Sequence, residues 1–221
     1  MSDAAPVSPD APTPESAEEA SARRFETVSG LTLAVFAAVL AVTDLGGGKY
    51  GDDEIIGTNE RANLYSWYQS KSIKQSLVEQ EGHLLQALLD GGVILPASAP
   101  AIQERIAKVT AKSDVYEAEK KEILEGSAAV GPAGQVLETD GQKGQIFGTK
   151  PWEAKLATLG ASGDVFDMAT LWLQLSLVLG AIALVLQGMA IKRVFYGVTV
   201  VMGIVGTVYA FRAFSIATAA G

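Results

Sequence analysis

This sequence predicts an all-α membrane protein with three transmembrane helices. An extramembrane helical hairpin of coiled-coil type is expected between the first and second of them. Three observations predict it. Apolar stretches over 28–48, 168–187 and 193–212 have the composition of membrane spans. A long polar stretch after the first has no proline from Asp52 to Asp90. A further stretch, 99–125, places its apolar residues at alternating steps of four and three.

A helix needs about 20 apolar residues to cross a ~30 Å hydrocarbon core. The second and third stretches meet that length closely. The first is uncharged over Leu31–Thr43 and then meets Asp44, which sits near the headgroup region if the span continues to Gly48. An acidic, proline-bearing segment precedes this span, unlike the basic leader of a signal peptide, so an uncleaved anchor is expected. Arg23 and Arg24 flank the first span, and Lys192 and Arg193 lie between the second and third. Three spans put these four charges on one side. The bias of basic residues toward the cytoplasm then predicts a cytoplasmic N-terminus and a periplasmic 49–165 loop in a bacterial inner membrane.

The first 27 residues include Pro6, Pro9, Pro12 and Pro14 among Ala, Ser, Asp and Glu, which reads as a disordered acidic tail. Beyond the first span, Asp52, Asp53 and Glu54 favour a helix start. The helix reads as continuous with the span and stops at Gly91-Gly92, with Pro96 and Pro100 beyond. On the second helix the seam is Ile102, Ile106, Val109, Ser113, Tyr116, Lys120 and Ile123, apolar but interrupted by Ser113 and Lys120. The facing seam on the first is expected at Ile56, Asn59, Asn63, Ser66, Ser70, Ile73, Leu77, Gln80, Leu84 and Ala87, apolar at its ends and polar in the middle. Two readings of that middle stand side by side: a solvated stretch, or a hydrogen-bonded contact between subunits that fixes register. Residues 126–151 hold six glycines with Pro132 and Pro151 and read as a loop. A linker helix over 152–167 follows, with Gly160 and Gly163 as a joint, and residues 213–221 form a C-terminal tail.

Composition excludes several activities. Lys and Arg number 17 against 25 Asp and Glu, a net charge of −8, which is the wrong sign for a nucleic-acid surface. The chain has no Cys and one His, His83, so neither thiol chemistry nor a multi-His metal site is expected. The glycines of 126–151 are not followed by Gly-Lys-Ser/Thr, so no phosphate-binding loop is read and no cofactor is expected. No Ser-centred nucleophile motif occurs. Carboxylates alternate with lysines at helical spacing, as in Glu104/Lys108 and Glu117/Lys121, the pattern of a solvated helix.

Residues 64–75 read Leu-Tyr-Ser-Trp-Tyr-Gln-Ser-Lys-Ser-Ile-Lys-Gln, preceded by Asn59 and Asn63. This stretch resembles the signature of a bacterial family known only as a domain of unknown function. The resemblance continues at Leu173–Leu179, at Lys192-Arg193 and through the third span, and touches residues 30–90 and 165–212. It implies one N-terminal span ending in glycines, a helical middle carrying the motif and a C-terminal helical pair; it implies no activity. The glycine-rich 126–151 and Asp44 depart from that pattern.

The candidate interaction surface is Asn63, Trp67, Tyr68, Gln69, Lys71, Lys74 and Gln75. Trp67 and Lys71 share a helix face, as do Tyr68 and Lys71, so a cation over an aromatic ring is in reach. The group reads either as a surface for a partner or anionic ligand, or as the packing of the helix itself. The candidate intramembrane polar residues are Asp44, weakened by its place at the span's end, and Gln174, which suits an interhelical hydrogen bond. Small residues along the third span, Gly197, Gly203, Gly206 and Ala210, allow close helix approach within or between chains. Together these predict a non-enzymatic membrane protein that assembles, with itself or as an accessory subunit of a membrane complex. The alternative is an oligomeric channel or small transporter.

Overall fold

The structure is a computed structural model that describes residues 17–219. Its elements run α1 (Ala17–Asp90), α2 (Ala99–Glu125), α3 (Ser127–Gly134), β1 (Glu138–Thr139), β2 (Gln142–Lys143), α4 (Thr149–Val185) and α5 (Met189–Thr218). Three of them, α1, α4 and α5, are long and apolar enough to cross a membrane. The chain divides into two compact units. The first holds the described residues up to Gly47 with Asp164–Ala213, and the second holds Gly48–Gly163 with Phe214 onward.

In the first unit α4 runs against α1, and α5 runs with it. Gly47 lies on Phe166, Thr170 donates to Asp44 at 3.0 Å, and Gly180 lies on Leu33. Along α5, Lys192 pairs with Glu26 at 3.0 Å, Tyr196 bonds Thr32 at 2.9 Å, and Gly203 lies against the Phe36 ring. Side chains at Gly180 and Gly203 would collide with Leu33 and Phe36, so these glycines serve close packing inside one chain. Ser176 is buried and donates to the Thr199 carbonyl at 2.9 Å, a direct tie between α4 and α5.

In the second unit α2 lies along α1 with residue numbers running in opposite directions. Glu81 pairs with Arg105, Glu79 with Ser113, Gln75 with Lys120, and Lys71 with Glu119. The end of α1 is shaped for this return. Gly92, at φ 66°, lets Val93 N–H reach the Leu88 carbonyl and Gly92 N–H the Leu89 carbonyl, the paired bonds of a left-handed helix cap.

The α2 seam faces inward as expected, from Ile102 to Ile123. The α1 seam does not. All ten expected positions, from Ile56 to Ala87, are exposed. Covered instead are Gly57, Arg61, Leu64, Tyr68, Lys71, Gln75, Val78, Gly82, Leu85 and Leu89, a second heptad row, with Trp67, Ser72, Glu81 and Leu88 beside it. The physical reason lies in α2. Its polar seam residues need polar partners: Ser113 donates to Glu79 at 2.8 Å, and Lys120 to Gln75 at 2.7 Å. A purely apolar row would have left them buried and unbonded, a costly outcome.

Four boundaries also differ from expectation. The disordered tail was expected through residue 27, but α1 begins at Ala17; residues 1–16 lie outside the described ones. The linker and second span are one helix, with no break at Gly160 or Gly163, because Leu156, Leu159, Ser162 and Phe166 are buried along it. The C-terminal tail expected from 213 is helical through Thr218, where Phe214 stacks edge-on against Tyr50. The stretch 126–151 is folded rather than a plain loop. It holds α3, kinked at Gly131, and a β-turn ladder closed by Asp140-Gly141, both at positive φ.

Candidate interaction site

The motif on α1 is built against the folded 126–148 segment. Ile123, Leu137 and Ile146 form a buried cluster, and Leu64, Trp67, Tyr68 and Val136 pack on it. What holds the segment there is Glu122, which is fully buried. One of its oxygens accepts the Val136 and Leu137 N–H groups at 2.8 Å each, and the other accepts the Ser127 hydroxyl at 2.7 Å. Ser127 Oγ in turn accepts the Ile146 N–H at 2.9 Å, and its own N–H reaches the Ile146 carbonyl at 2.7 Å. The two ends of the segment meet at Gly126 and Gly148, at φ 89° and 93°, whose backbones touch where any side chain would collide.

The seven motif residues divide into two groups. Trp67, Tyr68, Lys71 and Gln75 face inward. Lys71 pairs with Glu119 at 2.7 Å, and its ammonium lies 6.0 Å from the Trp67 ring and 5.8 Å from that of Tyr116. Lys120 comes from α2 to lie 5.5 Å over the Tyr68 ring and also bonds Gln75 and Glu117. Of the two pairs expected, Lys71 lies over Trp67, while the cation over Tyr68 is Lys120 of α2, and Lys71 also reaches Tyr116, so the cations link two helices of one chain. Asn63, Gln69 and Lys74 stay exposed on the other face.

The charges here are tuned by hydrogen bonds. Glu79 is held below the usual carboxylate value by the Ser113 hydroxyl first and the Gln75 amide second. Glu117 is lowered by Lys120 and then Gln75. Tyr65 donates to Glu153 at 2.6 Å, and that bond raises the phenol above its ordinary value.

Two open grooves flank the pairing. One, of about 340 Å³, is lined by Glu60, Asn63, Trp67, Phe147 and Trp152 among others. The other, of about 530 Å³, lies between α1 and α2 and includes Glu79, His83, Gln86, Ser113 and Asp114. Among the described residues no group of three or more His, Cys, Asp or Glu side chains is placed to hold a metal ion.

Of the two intramembrane candidates, Asp44 accepts a hydrogen bond from Thr170. Gln174 does not serve as the bond between helices. It is exposed on α4, and the helix tie falls to Ser176, two residues on and buried. Glu122 and Ser127 were missed in the sequence, because nothing local distinguishes Glu122 from its solvated neighbours. The Asp140-Gly141 pair, by contrast, is a recognisable turn signal.

The fold defines a helical protein with three helices of membrane-crossing length and a long helical pairing, compatible with a multi-pass membrane protein. The chain belongs to the family described as a domain of unknown function, DUF4337, whose match spans residues 25–216. That match includes the middle between the two segments that carried the resemblance. No curated protein and no solved structure matches the chain.

Proposed function

We propose that this chain is a non-enzymatic integral membrane protein of the bacterial inner membrane that acts as an assembly scaffold or accessory subunit of a membrane complex. The observation that carries the reading is how the second unit uses its side chains. Trp67, Tyr68 and Lys71 of the motif are engaged within the chain, while α1 leaves Ile55, Ile56, Ile73, Leu77 and Leu84 exposed. Exposed apolar rows rimmed by polar residues mark contact surfaces. Gln174 supports the same reading, since an amide exposed on an apolar helix in lipid is best satisfied by a neighbour. Arg23 and Arg24 precede the Glu26 turn that pairs with Lys192, so the basic residues gather at one end of the first unit. That end is cytoplasmic in this reading, and the hairpin of α1 and α2 is periplasmic.

The test is extraction in mild detergent, with the mass and composition of the particle measured. A species larger than one chain supports the reading. A monomer at every concentration, with no co-purifying protein, refutes it. A channel or small transporter is the second reading, resting on the Asp44–Thr170 pair and exposed Gln174 on otherwise apolar helices. Ion flux in liposomes that Asp44→Ala or Gln174→Leu abolishes would favour it.

A further inference from the structure

Two heptad rows run along α1 between residues 56 and 89. The inner one is covered by α2, the folded segment and, at Gly57, by Trp152 and Leu156 of α4. The outer one is exposed at every position. Ile56, Asn63, Ser70, Leu77 and Leu84 recur every seven residues, with Asn59, Ser66, Ile73, Gln80 and Ala87 between them. No position on this row is charged, although Glu60, Lys74 and Glu81 lie along one side of it. Ile73, Leu77 and Leu84 are 63%, 61% and 61% exposed. A solvated face has no need of a ten-position uncharged heptad; a helix partner does.

We infer that the outer row of α1 pairs, parallel and in register, with the same row of a second copy of this chain. The inference rests on the assembly reading above and names its partner. Three arguments identify a second copy. In parallel register each residue meets its own kind: Ile73, Leu77 and Leu84 meet apolar side chains, while Asn59, Asn63, Ser66 and Ser70 meet groups that can donate and accept in return. An antiparallel pairing centred on the row would instead set Asn59 against Leu84 and Ser66 against Leu77. A paired Asn within an apolar seam is the device that fixes register in parallel coiled coils.

The flanks agree. In parallel pairs the residues just before one set of row positions face residues five further along on the other helix. Lys74 then meets Gln69 of the second copy, Glu81 meets Ser76, and Glu60 meets Ile55, so no like charges face each other. This gives Asn63, Gln69 and Lys74, the motif residues without an inward contact, a common role. Finally, two copies inserted the same way in one membrane relate by an axis along its normal, which makes their α1 helices parallel.

The chain contains no Cys, so introduced thiols have no competitor. Asn63→Cys and Ser70→Cys, each made alone in the full chain in its native membrane, are expected to oxidise to covalent dimers. Ala111→Cys, exposed on α2 away from the seam, is expected to stay monomeric. Positions 63 and 70 lie two turns apart, about 10.5 Å, beyond the ~7 Å limit between Cα atoms for a disulfide. Co-expressed Asn63→Cys and Ser70→Cys chains should therefore give no mixed dimer. A strong 63-to-80 cross-link in place of 63-to-63 would show antiparallel pairing and overturn the inference. Leu77→Lys is exposed, leaves the monomer folded and sets two cations face to face, so it should weaken self-association at least about ten-fold; undiminished self-association overturns the inference. A particle holding other proteins in fixed ratio, without the 63 and 70 cross-links, overturns self-pairing and leaves the scaffold reading standing. A lone monomer overturns both.

Discussion

Glu122 offers a direct test of how the glycine-rich segment is held. Its carboxylate takes three hydrogen bonds, from Val136 N–H, Leu137 N–H and the Ser127 hydroxyl, and no part of it reaches solvent. In Glu122→Ala these donors lose their acceptor. The Leu137 bond is buried and the Val136 bond partly so; Ser127 itself is fully buried. A buried donor left unbonded costs about 1–3 kcal/mol. The half-buried Val136 N–H recovers part of its loss from water, so the total is about 3 kcal/mol. The loss is local, because it falls on the segment rather than on the helix ladder of α1. Local opening of 126–148 should become about a hundred-fold more frequent, at 1.4 kcal/mol per factor of ten. Amide hydrogen exchange in detergent reads this directly, at Leu137 and Ile146 against Val78 as an internal control. Glu122→Gln keeps an oxygen for the two N–H groups and should show a rise nearer ten-fold. Exchange at Leu137 and Ile146 that stays within about three-fold of the parent in Glu122→Ala would refute the role assigned to this carboxylate.

In the apolar unit, Gly203→Ala drives a methyl group into the Phe36 ring, whereas Gly197→Ala meets open space. The first should lose about 1–3 kcal/mol through overpacking, and the second should gain up to about 1 kcal/mol of helix propensity; equal thermal stability of the two in detergent would remove the packing argument. Acid should loosen the α1–α2 pairing. Glu79 and Glu117 both have folded values below their ordinary one, so they stabilise the pairing above the unfolded value, near pH 4.5, and that contribution is lost as pH falls through the folded values. Ser113→Ala removes the largest cause acting on Glu79 and should move the acid midpoint of exchange across 71–82 upward; an unmoved midpoint would count against it.

The helical class, the three apolar helices and the inward seam of α2 were legible in the sequence because each rests on periodicity or length. The segment 126–148 was not. Its order depends on Glu122 reaching backbone groups 14 and 15 residues away and on two glycine backbones in contact, and neither leaves a local pattern. Gln174 and Ser176 show a related limit. Both are polar and two residues apart on α4, so they lie on different faces, and only the placement of α5 decides which one is buried.

The register of α1 is the most instructive case. Its sequence offers two heptad rows one step apart. Over 68–84 the outer row, with Ile73, Leu77 and Leu84, is the more apolar, while the inner row carries Tyr68, Lys71 and Gln75. Hydrophobicity alone selects the outer row for the α2 contact. The contact goes to the inner row because α2 presents Ser113, Lys120 and Glu119, and bonded polar partners outweigh apolar area where such groups are covered. Over that stretch α1 uses the more polar row inside one chain and leaves the more apolar one outside, the wrong way round for a solitary soluble hairpin. The arrangement becomes consistent once the outer row is also a contact. The polar pairing then sets the fold of one chain, and the uncharged row joins two.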